Sequence, residues 1–544
     1  MADRGGDGRV APTRLRAQNR RFVALAVSLA LLAVVVRLGP VLYRRSLRGV
    51  IGYDDGVHLA AAQHLLAGDL PYTDFTFLQP GGVVVALTPF AAVAGLVGDS
   101  WALAAARVAV VLVAAVNAVL VAAILRPRGL VAAAVGGVLY AGWATIVIAE
   151  RTVYLEPLLN VCLLVALLAL RRRPDPASAG PPGSPGPPGP SASSARAVAV
   201  AGVALGLGVG FKLWGVAAVV VLGALVLARG GVRSAVRGAA WCVVGLLPAL
   251  VLAAADPAAA WRDVVVVQRE RAPSEIGALD RIGTLVGPAL FTGPTIGRGL
   301  AVAGGALLVA MCLVPVGRAL VRRVPPRAWS DPVWWGLLAL VQLALLLVAP
   351  SWGTHYPAYL GPALCLLLGA GAGRLAARAA PRVGRVGRPV AGVVAGVVAV
   401  PLVLAGVAAP GWGRPVDNAP LAAFAGEQPC TWSATPSLLA AADASRRQIR
   451  AGCPDVVDIF GIRLALAAGY PVPEVEALDL GTSPGRGLEP DEELLQAQMA
   501  ASQAALLTNV FTANDMSEQL AGWVRAEFTQ VGTNHYVGLW VRRP

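Results

Sequence analysis

Two adjacent carboxylates, Asp54 and Asp55, follow the first long apolar run of the chain, in the stretch GYDDGVH that starts at Gly52. A carboxylate at a membrane boundary is costly to desolvate, and it is retained where it pairs, binds a cation or does chemistry. If a helix starts at Asp54, His58 falls four residues on and shares its face. Such an acid–imidazole corner can take a proton from a hydroxyl. It also offers oxygen and nitrogen donors to a divalent metal cation through Asp54, Asp55 and His58, although His64 does not complete the set.

An anionic substrate would need cations, and the candidates are Arg151, Lys212, Arg269 and Arg271. Lys212 is the only lysine among 45 basic residues and lies in the apolar run GVGFKLWGVAA. That isolation suggests a phosphate ligand, with a snorkelling interfacial lysine as the alternative. The preceding GLGVGFK is not a phosphate loop, and Gly202, Gly206 and Gly210 read as close-packing positions. Arg151 and Glu156 stand at a span boundary, where they either pair with each other or serve the site. His355 and Tyr356 either contact a ligand or anchor the chain in the interface.

The elements that must position these groups are membrane helices. The 544 residues are 56% hydrophobic and 14% charged, with repeated apolar runs of spanning length. A net charge of +14 would suit nucleic acid, but the arginines sit in clusters between apolar runs, as in cytoplasmic loops. No nucleic-acid role is expected.

Placing every cluster inside gives a cytoplasmic tail at 1–21 and spans at 22–43, 105–125, 129–149, 153–170, 197–211, 213–228, 239–255, 299–317, 331–349, 356–373 and 390–409. The expectation is a polytopic α-helical membrane protein of about eleven transmembrane helices. Its transmembrane domain covers 22–411, with a first external loop at 44–104. Within that loop DDGVHLAAAQHLLAG reads as an amphipathic helix with Leu59, Leu65 and Leu66 toward the membrane, and 82–98 as an interfacial helix. The Pro, Gly and Ser insert at 174–195 reads as a disordered cytoplasmic loop.

From Trp412 acids outnumber bases fifteen to nine, which marks 412–544 as an extracytoplasmic α/β domain. In it DVVDIFG, AALLTNVF and HYVGLWVRR read as strands, while TPSLLAAADASRRQIRAG and DEELLQAQMAASQ have helical spacing. Cys430 and Cys453 are its only cysteines; an oxidising exterior favours a disulfide over two free thiols.

The stretch YDDGVHLAAAQHLLAGDLPYTDFTFLQPGG resembles the first external loop of the GT-C superfamily of membrane glycosyltransferases, in the branch of protein O-mannosyltransferases and aminoarabinose transferases. Gln79-Pro80-Gly81-Gly82 replaces the family's HPPG. ERTVYLEP, GLGVGFKLWG and THYPAYLGP resemble later motifs, and the resemblance covers residues 20 to 410. It implies an inverting glycosyltransferase that moves a sugar from a polyprenyl-phosphate donor to a glycan, lipid or protein acceptor at the outer face of a bacterial plasma membrane, with Asp54 as the catalytic base, Asp55 as a supporting acid or metal ligand, and His355 and Tyr356 in reach of sugar or phosphate. Two other classes share the compartment: a transporter or flippase of lipid-linked glycan, and a polysaccharide polymerase or ligase. The absence of an internal repeat and the clustering of acids at the boundary speak against the transporter; the first-loop Asp pair speaks against the polymerase.

Overall fold

The computed structural model describes residues 10–171, 195–287, 294–383, 400–476, 488–508 and 516–544. Residues 174–194 of the expected cytoplasmic loop and 390–399 of the last expected span lie outside them.

The helices that frame the site are α1 (Val10–Tyr43), α2 (Asp54–Ala67), α3 (Gly82–Val97), α4 (Asp99–Leu125), α5 (Leu130–Gly142), α6 (Ala144–Ala149), α7 (Glu156–Leu170), α8 (Ala195–Phe211) and α9 (Gly215–Ala253). Further apolar helices run over Pro294–Val321, Asp331–Val348 and Gly361–Val383. Among the described residues six helices are long and apolar enough to cross a membrane, and the chain is a multi-pass membrane protein.

One detail departs from the expected spans. The stretch expected to run unbroken over 129–149 breaks at Trp143, which is extended (φ −67°, ψ 120°). The break leaves the carbonyl of Ala141 to accept from the buried Arg37 guanidinium at 2.8 Å. Arg37 also donates through Nε to Glu150 at 2.8 Å, and Tyr140 and Asn117 donate to the same carboxylate. A buried charge pair persists in such a place only when its remaining donors and acceptors are met, and this network meets most of them.

The expected separation of the spans at 213–228 and 239–255 is present: α9 consists of two helices that meet at Gly231, whose φ of 71° favours glycine. Arg229 lies beside Leu170 and Asp331 at one end of the bundle, while Pro248 and Ala249 line a groove with Gly82 and Gly210 at the other. Arg128 joins Arg229 on Asp331, so arginines from separate loops meet at one end.

At the opposite end sits the domain that follows Trp412. Its sheet has the order β1-β2-β4-β3, with β1 (Thr431–Trp432) parallel to β2 (Ala504–Thr508) and β4 (Val537–Arg542) antiparallel to both β2 and β3 (Phe528–Asn534). Helices cover it over Trp432, Leu494, Met499 and Phe528. DVVDIFG is not a strand: Asp458 caps the helix Ile459–Ala467 by accepting from Gly461 N. The capping acid overrides the alternation of apolar residues on which the strand reading rested. A disulfide joins Cys430 and Cys453.

The leucine reading of α2 is also corrected. Leu59 is buried, and of the three leucines only Leu66 is freely exposed, because the outer domain packs onto this helix. Gly56 permits the contact, since a Cβ there would lie 2.2 Å from the backbone nitrogen of Ser437. Ser445 donates to Gln63 at 2.6 Å, and Thr76 donates to Glu474 through its backbone nitrogen and its hydroxyl. The first loop is therefore clamped between the helical bundle and the outer domain.

Candidate active site

Asp54 opens α2, where the helix dipole favours a carboxylate. Its side chain is 43% exposed, and Oδ2 lies 3.9 Å from His355 Nε2. The His355 ring stacks flat on Tyr154, with centroids 4.0 Å apart, and meets Tyr356 edge-on. Lys212 follows the last turn of α8 and donates to Glu156 Oε1 at 2.5 Å. Its ammonium lies 4.2 Å from the Trp214 ring and 4.5 Å from Tyr356. Asp54, Glu156, Lys212 and His58 all bear electrostatically on His355, so six of the expected residues converge: Asp54, His58, Glu156, Lys212, His355 and Tyr356.

The other expected residues do different work. Asp55 points inward, away from solvent, and its Oδ2 accepts from Arg107 Nε at 2.9 Å and Nη2 at 2.5 Å, and also from Thr152. Arg107 also donates to the carbonyls of Leu47 and Gly49, so this pair fixes the loop that presents Asp54. Arg151 is buried and, among the described residues, donates to the carbonyls of Gly406, Val407, Ala409 and Pro410, closing a helix end instead of meeting Glu156. Arg271 is half-buried and acts on Asp458. Arg269 is exposed, and no contact joins it to the cluster among the described residues.

His58 is buried, and its Nδ1 donates to the carbonyl of Val153 at 2.9 Å. Burial holds its imidazole below the ordinary value, which leaves Nε2 unprotonated at neutral pH. With Asp55 committed to Arg107, Asp54, Asp55 and His58 do not fit a divalent cation. Among the described residues no group of three His, Cys, Asp or Glu is arranged to hold a metal.

The residues that sequence reasoning missed come largely from the outer domain. Asp458 Oδ1 accepts from the Tyr53 hydroxyl at 3.2 Å, and Phe460 meets the Tyr53 ring edge-on, its own ring partly exposed. The side of the site away from the bundle is thus Tyr53, Asp458, Phe460 and Arg271. Only the neighbouring cap Asp458-Ile-Phe-Gly461 hinted at it in the sequence.

Three groups that join the outer domain to the first loop give it a pH dependence. Burial alone would lower His64, but the carboxylates of Asp455 and Asp69 outweigh it and push the ring up to about 9, from an ordinary 6.5. Burial pushes Asp458 up to about 6 from 3.8, and Glu474 up to about 7 from 4.5. Each group holds its proton more tightly in the folded chain, so each contributes stability that is complete below its ordinary value and lost as pH rises through the folded value. Docking should weaken through about pH 6 and 7 as the acids ionise, and again toward about 9 as His64 loses its proton. Hydrogen exchange of the α2 amides should accelerate across this window, and His64→Gln should remove the upper step while sparing the lower.

No family profile matches the chain, and no curated protein matches it in sequence. Solved structures do match in fold. ArnT from Cupriavidus metallidurans in the apo state superposes with a TM-score of 0.55 at 17% identity, covering 96% of this chain and 98% of that one. The oligosaccharyltransferase of Archaeoglobus fulgidus, tethered to an acceptor peptide containing the NVT sequon, gives a TM-score of 0.52 at 14% identity over 95% of this chain and 74% of that one. The same oligosaccharyltransferase in complex with Zn and sulfate gives 0.51 at 14% identity over 94% and 72%. The chain has the GT-C fold of membrane glycosyltransferases, and the resemblance of its first loop holds at the level of the fold.

Proposed function

We propose that this protein is an inverting glycosyltransferase that takes a sugar from a polyprenyl-phosphate donor. The observation that carries the reading is the convergence of a solvent-accessible carboxylate, Asp54, with a buried ammonium, Lys212, at one end of an apolar bundle. An acceptor hydroxyl gives its proton to Asp54 as its oxygen attacks the anomeric carbon. The bond from that carbon to the phosphate oxygen breaks as the new one forms, and the electron pair leaves with polyprenyl phosphate. Lys212, oriented by Glu156 and walled by Trp214 and Tyr356, stabilises the charge gathering on the phosphate. Polyprenyl phosphate needs no acid to leave, so one carboxylate and one cation suffice. Attack from the face opposite the leaving group inverts the anomeric centre.

A groove of about 140 Å³ beside Phe211, lined by Gly82, Val85, Leu207 and Pro248, suits the isoprenoid chain next to Lys212. The ArnT of Cupriavidus metallidurans also binds undecaprenyl phosphate. The acceptor enters past Tyr53, Phe460 and Asp458. In this reading the eleven spans place the amino terminus in the cytoplasm and the domain after Trp412 outside, where its disulfide is at home.

Undecaprenyl phosphate added to the detergent-purified protein should raise its Tm, and the gain should disappear in Lys212→Met. A wild-type protein whose Tm is indifferent to the lipid, under conditions in which a known polyprenyl-phosphate enzyme responds, would overturn the donor assignment.

A further inference from the structure

A cavity of about 520 Å³ opens between the outer-domain helix Ser445–Ala451 and the turn joining α3 to α4, well away from Lys212. α3 separates the two: its Gly82 end adjoins Phe211, and its 16 residues carry it about 24 Å to Val97 beside this cavity. Arg446 and Arg450 line the cavity, and their guanidinium groups make no hydrogen bond or ion pair among the described residues. Arg447 is already committed to the carbonyls of Ala425, Gly426 and Gln428.

The two acids in the wall are likewise engaged. Asp443 accepts from Ser100 N at 2.8 Å, and Asp99 accepts from Gln63 and from Arg446 N. A smaller cavity continues from Arg446 and Arg450 to Leu66, Ala91 and Ala92. Asp99 starts a helix long and apolar enough to cross the membrane, and Leu96, Val97 and Trp101 are exposed around it. Two guanidinium forks without a hydrogen-bonded partner, Arg446 beside the Asp99 carboxylate that it acts on and the exposed Arg450, therefore stand at a membrane boundary next to apolar side chains.

We propose that this cavity binds the phosphate of an anionic bilayer lipid and fastens the outer domain to the membrane surface. The forked donors of arginine match phosphate oxygens in pairs, and the exposed apolar side chains below suit the glycerol and acyl chains of a lipid held from above. This site is separate from the donor site and does not depend on the reaction assigned there.

The full-length protein, released from nanodiscs of equal phosphatidylglycerol and phosphatidylcholine, should be seen by native mass spectrometry to retain phosphatidylglycerol about 30-fold over phosphatidylcholine. Arg446→Gln with Arg450→Gln should lower the preference several-fold, to what the arginine clusters of the other loops retain, without lowering Tm in phosphatidylcholine alone. Arg525→Gln, on an exposed residue of the same domain, should keep it. If the double variant is unstable, Arg446→Lys and Arg450→Lys singly should each weaken retention, because charge remains and the fork is lost. Equal retention of the two lipids by the wild type, or an unchanged preference in the double variant, would overturn the proposal. So would displacement of phosphatidylglycerol by inorganic phosphate at no higher concentration than the lipid, which would reassign the cavity to a free anion.

Discussion

Asp54→Asn lowers sugar transfer by about 10²–10⁴-fold, the range for removing a positioned general base, and leaves the fold intact. The change is nearly isosteric, and the side chain is 43% exposed, with the His355 ring 3.9 Å from Oδ2. Asp55→Asn behaves differently. It removes the charge that Arg107 faces in a fully buried pocket, so it costs stability, on the order of 3–5 kcal/mol for an uncompensated buried ion. Any activity lost with it follows from a disordered loop. Thermal unfolding measured beside turnover separates the two: Asp54→Asn keeps Tm and loses rate, whereas Asp55→Asn loses both.

The second large effect concerns Lys212 and Glu156. Lys212→Met leaves the Glu156 carboxylate buried without its partner, and Glu156→Gln leaves the ammonium in the same position. Each single variant should be destabilised by about 3–5 kcal/mol. The double variant Lys212→Met with Glu156→Gln removes both charges and should recover most of that loss. It should not recover activity, because no cation remains for the phosphate. A double variant with wild-type turnover would make the pair purely structural; a double variant as unstable as the singles would show that the two charges are not each other's partners.

The sequence gathered its candidate residues at one corner of the molecule because membrane boundaries are legible in it. Apolar runs and arginine clusters set which end of each span faces which side, and that brought Asp54, Glu156, Lys212, His355 and Tyr356 to one end. It could not say which acid faces the cavity. Asp54 and Asp55 are neighbours in the chain, and what separates them is Arg107, 52 residues beyond Asp55 inside an apolar helix. An arginine in such a run is itself a signal, since it must have a buried partner; Arg37 with Glu150 is another instance.

Arg151 and Lys212 show the same limit from the cation side. Both sit at helix ends in apolar surroundings, yet one satisfies four backbone carbonyls and the other pairs with a carboxylate. Those partners are long-range contacts that spacing does not encode. The outer domain was legible as a change of composition, but its docking on α2 was not. That contact depends on the missing side chain of Gly56 and on hydrogen bonds between residues some 380 to 400 positions apart.

The central claim is that Asp54 drives sugar transfer from a lipid phosphate, and its most direct measurement is the release of polyprenyl phosphate from polyprenyl-phosphate sugars in the presence of membrane-derived acceptor. Wild-type protein should release it from at least one sugar donor and yield a product of inverted anomeric configuration by NMR, while folded Asp54→Asn should release none above background. Release by Asp54→Asn at the wild-type rate, or a product that retains the donor's configuration, would contradict the account.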